Sequence, residues 1–476
     1  MKPTGQLALA GLLTVCACTV SSPERIEVRL RDAIPENFVA GTSATGTSAV
    51  DWWTSFGDPR LDEIVAEALA HNHDLRAAVA RIDTAVVQAR LAGADLVPSV
   101  SLSASGQRQR QNFIGLPIPG GTLSRTFNSF GVSLGLSWEL DLWGRIRAGK
   151  RAAIADVEAS REDARASWLS IAGQTSKAWF ATLAARAQVE LASRTVKSYA
   201  SSLAVARRRF EAGTRPAVDL RLAENTLASG RANLATRREQ LASAHRQLEV
   251  LLGRYPAGSL PANAELPAVP PPIPAGQPLD LLRRRPDVRA AERRLAALTT
   301  RIEEARAALW PRITLTSNVG TASREFQDLL NRDFFAWNLL GGIVAPLVDG
   351  ARLRNNVALA RARAREATEA YASVSLRAFR EVETGLATEA LLRRQEEQLA
   401  QAEAAATNAE QLAKQRYERG VGSYLDVLES QRRSLAAASQ RLTARRRRLE
   451  HRIDLHLALG GGFAASQSDQ PAGHRP

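Results

Sequence analysis

Cysteine is nearly absent from this 476-residue chain, and both of its cysteines, Cys16 and Cys18, fall within the first 18 residues. That excludes a disulfide-stapled fold, a cysteine-rich zinc module and a cysteine nucleophile anywhere in the body. Lysine is almost missing too: it stands only at 2, 150, 177, 197 and 414, so 58 of the 63 basic residues are arginine, and the net charge is +14. Aromatic residues make up 5%. No run of about 18 uncharged apolar residues follows residue 20, so no spanning α-helix is expected. Neither a G-x-x-x-x-G-K-S/T loop nor a G-x-G-x-x-G after a strand occurs, which disfavours nucleotide chemistry. What is present is 45% hydrophobic and 24% charged, enough to bury a core.

The N-terminus reads as an address. Lys2 precedes an apolar stretch from Leu7 to Val15, the pattern of a secretory signal peptide. Val15-Cys16-Ala17-Cys18 resembles the lipobox of bacterial lipoproteins. Cys18 suits lipidation better than Cys16, because Ala17 is small enough for the peptidase and Val15 is a poor residue before a cut. Thr19, not Asp, follows, so nothing obvious retains the product in the inner membrane. The expected cofactor list is empty apart from this covalent lipid.

The body is a tandem repeat. Residues 74–98 align without a gap on 287–311 at an offset of 213, with Asp74/Asp287, Arg76/Arg289, Arg81/Arg294 and Pro98/Pro311 identical. Further on, 209–219 align on 416–426 at an offset of 207, so the first copy carries six extra residues between these points. The hairpin loop of the first copy is the natural place for them. Each copy predicts a helix (74–97, 287–310) that stops at a proline. Alternating segments follow. Val100, Leu102 and Ala104 oppose Ser101, Ser103 and Ser105, and Val132, Leu134, Leu136 and Trp138 oppose small polar residues; Ile313, Leu315 and Val319 repeat the pattern, with a less clean strand from Phe335 to Val348.

Proline-free helical stretches of 66 residues come next, 145–210 and 352–417. At about 1.5 Å per residue each is roughly 100 Å long, so it must lie against other long helices as a coiled coil. A glycine-containing turn and a returning helix (217–253, 423–459) complete each copy. Residues 255–286 hold nine of the 21 prolines and read as an extended linker, not a packed element. The expected organisation is a signal peptide at 1–17, a lipidated segment at 18–50, repeats at 51–254 and 287–462 around the 255–286 linker, and a disordered tail at 463–476.

Four amphipathic strands cannot span a bilayer alone, because the sheet has open edges. Two, three or four copies would give about 8, 12 or 16 strands, and a hollow barrel needs more than the smallest number. Here the chain resembles the outer-membrane efflux protein family, the TolC-like channels, and most closely their lipidated OprM/NodT branch. The carrying motifs are Asp51-Trp-Trp-x-x-Phe-x-Asp58-Pro-x-Leu61, Asn72-x-Asp74-Leu, Trp138-Glu-Leu-Asp-Leu-Trp-Gly-Arg145, Leu282-Arg-Arg-Arg-Pro-Asp287, Ala308-Leu-Trp-Pro311, Gly420-x-x-Ser-Tyr-Leu-Asp426-Val-Leu-Glu429-Ser-Gln431 and Leu457-Ala-Leu-Gly-Gly461. They cover roughly 50–462. The resemblance implies an α+β membrane protein, a homotrimer with a 12-stranded β-barrel, four strands per chain, continuing into a periplasmic α-helical barrel. It implies a passive exit duct of a tripartite pump rather than an enzyme, partnered by a periplasmic adaptor and an RND-type inner-membrane pump. A type I secretion duct and a pore-free coiled-coil lipoprotein scaffold are the rival readings.

The resemblance also implies a gate at the far helix turns. Asp426 and Glu429 share one face at a helix start, where three copies would form stacked carboxylate rings; the plain alternative is helix-start acids facing water. Tyr417 and Asp219 match polar links that hold the closed tip in relatives. Relatives carry an Arg five residues after that Tyr; here Gly422 stands there, so Arg416 or Arg419 is the expected substitute. Gly213, Thr214 and Arg215, with Gly420, Val421 and Gly422, would meet the adaptor. His71-Asn72-His73 lacks a third ligand and reads as surface, not metal. The Arg445–Arg448 run reads as a solvated or acid-paired face, not a nucleic-acid site. Glu303-Glu304 and Glu396-Glu397 read as solvent-facing helix residues, not acid–base pairs.

Overall fold

A computed structural model describes residues 34–40, 51–113, 123–259, 265–273 and 276–461. The expected signal peptide, Cys16, Cys18 and the tail at 463–476 lie outside the described residues. The chain divides into two units. One holds Ile82–Ala159 and Ala291–Tyr371; the other holds Ser160–Ala290 with the described residues before 82 and after 371.

The first unit is built on a four-stranded antiparallel sheet in chain order: β1 (Ser99–Phe113), β2 (Leu123–Leu140), β3 (Arg312–Ser323) and β4 (Phe335–Val344). β2 pairs with β3, so the two copies share one sheet, with β1 and β4 at its edges. The register puts Val100 across from Leu136, Leu134 across from Val319, and Val319 across from Trp337. Side chains alternate along a strand, so one face is apolar and the other carries Ser101, Ser133, Thr316 and Asn338. Among the described residues nothing covers the apolar face: Leu102 is 74%, Trp337 70% and Ile343 72% exposed.

The extra length of the first copy does not sit in the loop, as expected, but in the strands. β1 and β2 have 15 and 18 residues against 12 and 10 in β3 and β4. The helices feeding the sheet end earlier than the prolines suggest. α2 (His73–Ala92) stops before Gly93 and passes through a short 3-10 turn, Ala94–Leu96, because Pro98 requires an extended Val97. Its counterpart in the second copy ends at Ala307. The Trp138–Arg145 motif then closes strand onto helix. Trp138 Nε1 donates to Leu96 O (3.1 Å) and Trp143 Nε1 to Pro311 O (2.7 Å), Glu139 takes a bidentate pair from Arg145, and Asp141 accepts from Ile146 N (3.1 Å) and Arg147 N (2.9 Å).

The helices α3 (Arg145–Glu211), α4 (Ala217–Leu251), α5 (Pro278–Arg284), α6 (Pro286–Ala307), α7 (Arg352–Glu418) and α8 (Tyr424–Ala458) follow. α3 and α7 have 67 residues each, and both extend through the two units. In the first unit α2 packs on α3 through Ala85, Ala89 and Val157. Glu303 takes a hydrogen bond from Arg151 (2.8 Å), so it is an ion-paired helix residue.

The second unit is centred on an aromatic core. The turn Trp52–Phe56 and α1 (Pro59–His71) pack against Trp179, Phe180 and Leu183 of α3, Leu248 of α4, and Leu449 and Ile453 of α8. Asp58 caps α1 and accepts from Trp179 Nε1 (2.7 Å), which explains the Asp after the Trp-Trp motif. The proline-rich segment is packed, contrary to expectation. Leu266 and Val269 lie on this core, Pro278 and Leu281 of α5 are buried, and the carbonyls of Pro267 and Pro271 accept from Arg445 and Arg452. A proline-rich segment cannot build a backbone hydrogen-bond ladder, and arginines of α8 donate to the carbonyls it leaves unpaired. Before the core, Phe38 is buried, and the Glu383 carboxylate accepts from Val39 N (2.8 Å) and Ala40 N (2.9 Å).

Candidate functional site

The far ends of the two long helices close in the same way. Gly213 and Gly420 both have positive φ (66° and 86°), conformations that only glycine takes without strain. Gly213 N donates to Phe210 O and Thr214 N to Arg209 O (2.9 Å each); Gly420 N donates to Tyr417 O (3.0 Å) and Val421 N to Arg416 O (3.1 Å). Beyond that the turns diverge. α8 starts with a capping box: Ser423 Oγ accepts from Leu425 N (3.2 Å) and Asp426 accepts from Ser423 N (3.3 Å). α4 starts at Pro216 with no side-chain cap.

Tyr417 is the centre of the tip. It is 3% exposed and packs with Ala206, Ala223, Tyr424 and Val427. The guanidinium of Arg209 lies 4.7 Å from its ring centroid and that of Arg215 5.5 Å, which is cation–π geometry. Both arginines also reach carbonyls of the second turn. Arg209 Nη2 donates to Glu418 O (2.6 Å), and Arg215 Nη2 to Gly420 O (3.2 Å) and Gly422 O (2.8 Å). These three hydrogen bonds join the first hairpin tip to the second. Burial raises the Tyr417 phenol, and the Asp219 charge adds to it. Burial, then the neighbouring Tyr417 and Asp219, push Tyr424 up to about 12. The Tyr417 hydroxyl is buried and makes no hydrogen bond among the described residues, so the expected Tyr417–Asp219 hydrogen bond is not formed within this chain. A cavity of about 220 Å³ opens beside Tyr417, lined by Ser198, Ser202, Val205, Lys414 and Glu418.

Gly422 holds its place for a steric reason. A Cβ there would stand 2.8 Å from Tyr417 N and 3.0 Å from the Arg416 carbonyl carbon, so no side chain fits without moving the backbone. The repeat offset of 207 puts Arg215 on the position of Gly422. Arg215 therefore holds in the first turn the place that Gly422 holds in the second, and it donates to the Gly422 carbonyl. Arg416 and Arg419, the expected substitutes, are both exposed in the chain. Aligning the two turns in the sequence would have found Arg215; Arg209 and Tyr424 carried no signal beyond helix periodicity.

The other expected gate residues are placed apart from this cluster. Asp426 and Glu429 are exposed, Asp426 in the capping box and Glu429 in an exposed pair with Arg433 (2.7 Å). Of the expected adaptor contacts, Gly213, Thr214, Gly420 and Val421 are exposed, while Arg215 and Gly422 are half-buried. Arg448 pairs with Glu396 (2.8 Å), so the arginine run meets acids. Asn72 caps α2 through Leu75 N (3.0 Å) and donates to Leu251 O (2.9 Å). Among the described residues no group of three or more His, Cys, Asp or Glu could hold a metal ion.

The outer membrane efflux protein model matches residues 64–254 and 278–461. The chain belongs to this family. Its two matched stretches fall on the two copies, as the tandem repeat requires. OprJ, an outer membrane protein of Pseudomonas aeruginosa, is 34% identical over 472 residues, covering 98% of each chain. The pyoverdine export outer membrane protein OpmQ of Pseudomonas putida is 32% identical over 466 residues, covering 96% of this chain and 97% of that one. Among solved structures, the open state of the MtrE outer membrane channel of Neisseria gonorrhoeae superposes with a TM-score of 0.80 at 31% identity, covering 92% of this chain and 98% of that one. The sheet of four strands and the paired long helices are the family's fold.

Proposed function

We propose that this chain is the outer-membrane duct of a tripartite efflux system, a passive trimeric exit for small molecules delivered by an inner-membrane pump through a periplasmic adaptor. The observation that carries it is the sheet: four strands, two open edges and an apolar face that nothing among the described residues covers. Three copies joined edge to edge satisfy every backbone group in lipid as a 12-stranded barrel. A pore-free scaffold has no use for such a face, and it is less well supported than the duct. Cys18 carries the lipid in this reading, and the chain sits in the outer membrane, both anchored and spanning. Residues 51–254 and 287–462 act as the two repeats. The exposed turns at Gly213–Thr214 and Gly420–Val421 meet the adaptor, and an RND-type pump energises export.

Relatives of similar identity are named for pyoverdine export, toluene efflux and cation efflux. That spread supports a duct which does not choose its cargo, the choice resting with the pump. Gating opens the Arg209, Arg215 and Tyr417 contacts, and the exposed acids Asp426 and Glu429 favour cations at the constriction. Reconstitution in planar bilayers tests the reading. Discrete conductance from a species that native mass spectrometry counts as three chains is the expected result; a monomer without conductance refutes it. Acyl labelling lost in Cys18→Ser but kept in Cys16→Ser is expected for the lipid.

A further inference from the structure

The first hairpin continues past the sheet, and its extension is cationic. β1 and β2 pair without a bulge from Ser99↔Ser137 to Phe113↔Leu123. β3 leaves β2 at the Phe130↔Ser323 pair, and β4 leaves β3 at Thr321↔Phe335. Seven pairs, from Gln107↔Ser129 outward, therefore form a two-stranded ribbon beyond the four-stranded part. A neighbouring copy's β4, at 10 residues, is too short to cover the 15-residue edge of β1.

The unbroken register fixes which way the ribbon's charges stand. Arg108 and Arg110 lie on the face of Val100, Leu102, Phe130 and Leu134, the apolar face. Arg125 lies on the opposite face, 5.3 Å from the Phe127 ring centroid. From Ser99 to Trp138 the chain has these three arginines and no Asp or Glu, whereas 312–344 balances Arg312, Arg324 and Arg332 with Glu325, Asp328 and Asp333. Along the apolar face the sequence of chemistry is aliphatic, then aromatic at Phe130, Trp337 and Phe335, then arginine about 7 Å and about 13 Å past the level of Phe130. A strand leaving hydrocarbon meets a headgroup layer in that order.

We propose that Arg108 and Arg110 of each copy bind the phosphates of lipopolysaccharide in the outer leaflet of the outer membrane. The inference rests on the duct reading, which puts the hairpin ends outside the cell and the long helices inside. The planar guanidinium matches a phosphate in bidentate fashion, and the absence of any acid on the ribbon leaves the pair's field uncompensated. The second hairpin, neutral and shorter, cannot do the same.

Native mass spectrometry of the full-length protein in detergent, titrated with bisphosphorylated lipid A, tests this. The wild-type trimer should bind it, and Arg108→Gln with Arg110→Gln should weaken binding roughly 30-fold, the product of two cations at a membrane surface. Arg125→Gln, on the other face, should bind as the wild type does, and lipid A stripped of its phosphates should bind no better than the double variant does intact lipid A. Unchanged binding by the double variant overturns the proposal. So does an equal loss in Arg125→Gln, or phosphatidylglycerol binding as tightly as lipid A. The same samples in planar bilayers separate the two levels: conducting trimers whose lipid A binding ignores Arg108 and Arg110 sink this inference alone, while wild-type protein that neither trimerises nor conducts sinks the duct reading beneath it.

Discussion

α3 and α7 have 67 residues each and α4 and α8 have 35 each, so the two copies match residue for residue along their long helices. Their ends do not match. One hairpin is long and cationic and the other short and neutral; one turn carries Arg215 and the other Gly422; one returning helix starts with a capping box and the other without. Helices that lie side by side over about 100 Å must keep a common length, because an insertion would shift every later contact by about 1.5 Å along the axis and about 100° around it. An end contacts only its own surroundings, so the duplicated ends were free to diverge, and the candidate functions of the chain sit there.

The largest effect should come from the pair of positions that open the two copies. The offset of 213 puts Asn72 on Arg285. Arg285 is buried and binds Asp287, Glu381 and Ala458 O, whereas Asn72 makes two neutral hydrogen bonds. Arg285→Ala should destabilise the protein by about 3–5 kcal/mol, because it removes charge-assisted hydrogen bonds to two partly exposed carboxylates and a buried carbonyl at once. Asn72→Ala should cost about 1–3 kcal/mol. Denaturant melts of both variants check this, and equal losses would erase the distinction between the copies.

A second comparison is by pH. The offset of 207 puts Glu249 on His456. Burial, with Arg452 nearby, lowers His456 from 6.5 to about 4, and its ring stacks on Trp52 at 5.1 Å. The unfolded chain therefore binds a proton that the folded one refuses. Stability from this group is complete above pH 6.5 and falls as pH drops towards about 4, by about 3 kcal/mol in all. Burial works to raise Glu249, but the backbone N–H groups of Gly258 and Ser259 prevail and hold it below 4.5, so its contribution is present above that value and is lost only as pH falls below it. His456→Phe should flatten the unfolding curve between pH 6.5 and 4 and leave the more acidic loss intact; a wild-type slope in that variant would refute the assignment.

Smaller effects should come from the tip. Arg215→Ala removes two charge-assisted hydrogen bonds and should cost about 1.5–3 kcal/mol per copy and raise open-channel conductance in planar bilayers. Adding Gly422→Arg should not restore closure, since even its Cβ collides with the Tyr417 backbone. Asp426→Asn keeps an acceptor for the Ser423 N–H and should cost less than about 1 kcal/mol through the capping box, and Glu429→Gln about 0.3–0.5 kcal/mol through its exposed pair. Both should weaken block by divalent cations if they line the constriction. Asp219→Asn, whose helix has no capping box, should cost less than Asp426→Asn in the same melts.

Much of this is legible in the sequence. Period-two alternation located all four strands, because a sheet with one apolar face must alternate. Proline-free runs located the long helices to within a residue at 145–211 and 352–418, because nothing inside them breaks a helix. The offset of the two copies exposed the duplication. Strand ends were less legible: Gln107 to Asn112 is polar on both faces, so the pattern that marked β1 stops before the strand does. The proline-rich segment misled for a related reason. Proline excludes regular structure but not packing, and Leu266 and Val269 are too few to announce a buried strap.

Sequence alone determined the repeat, the helix lengths and the apolar sheet face, since each depends on neighbours along the chain. Only tertiary structure decided that Arg215 reaches the Gly420 and Gly422 carbonyls, that Tyr417 is a buried hub whose hydroxyl makes no hydrogen bond among the described residues, and that the β1–β2 ladder runs without a bulge as far as Arg108 and Arg110. Those facts depend on which residues from distant parts of the chain meet across a turn or a ladder. One β-bulge between Ala104 and Arg108 would move both arginines to the other face while leaving the sequence pattern untouched.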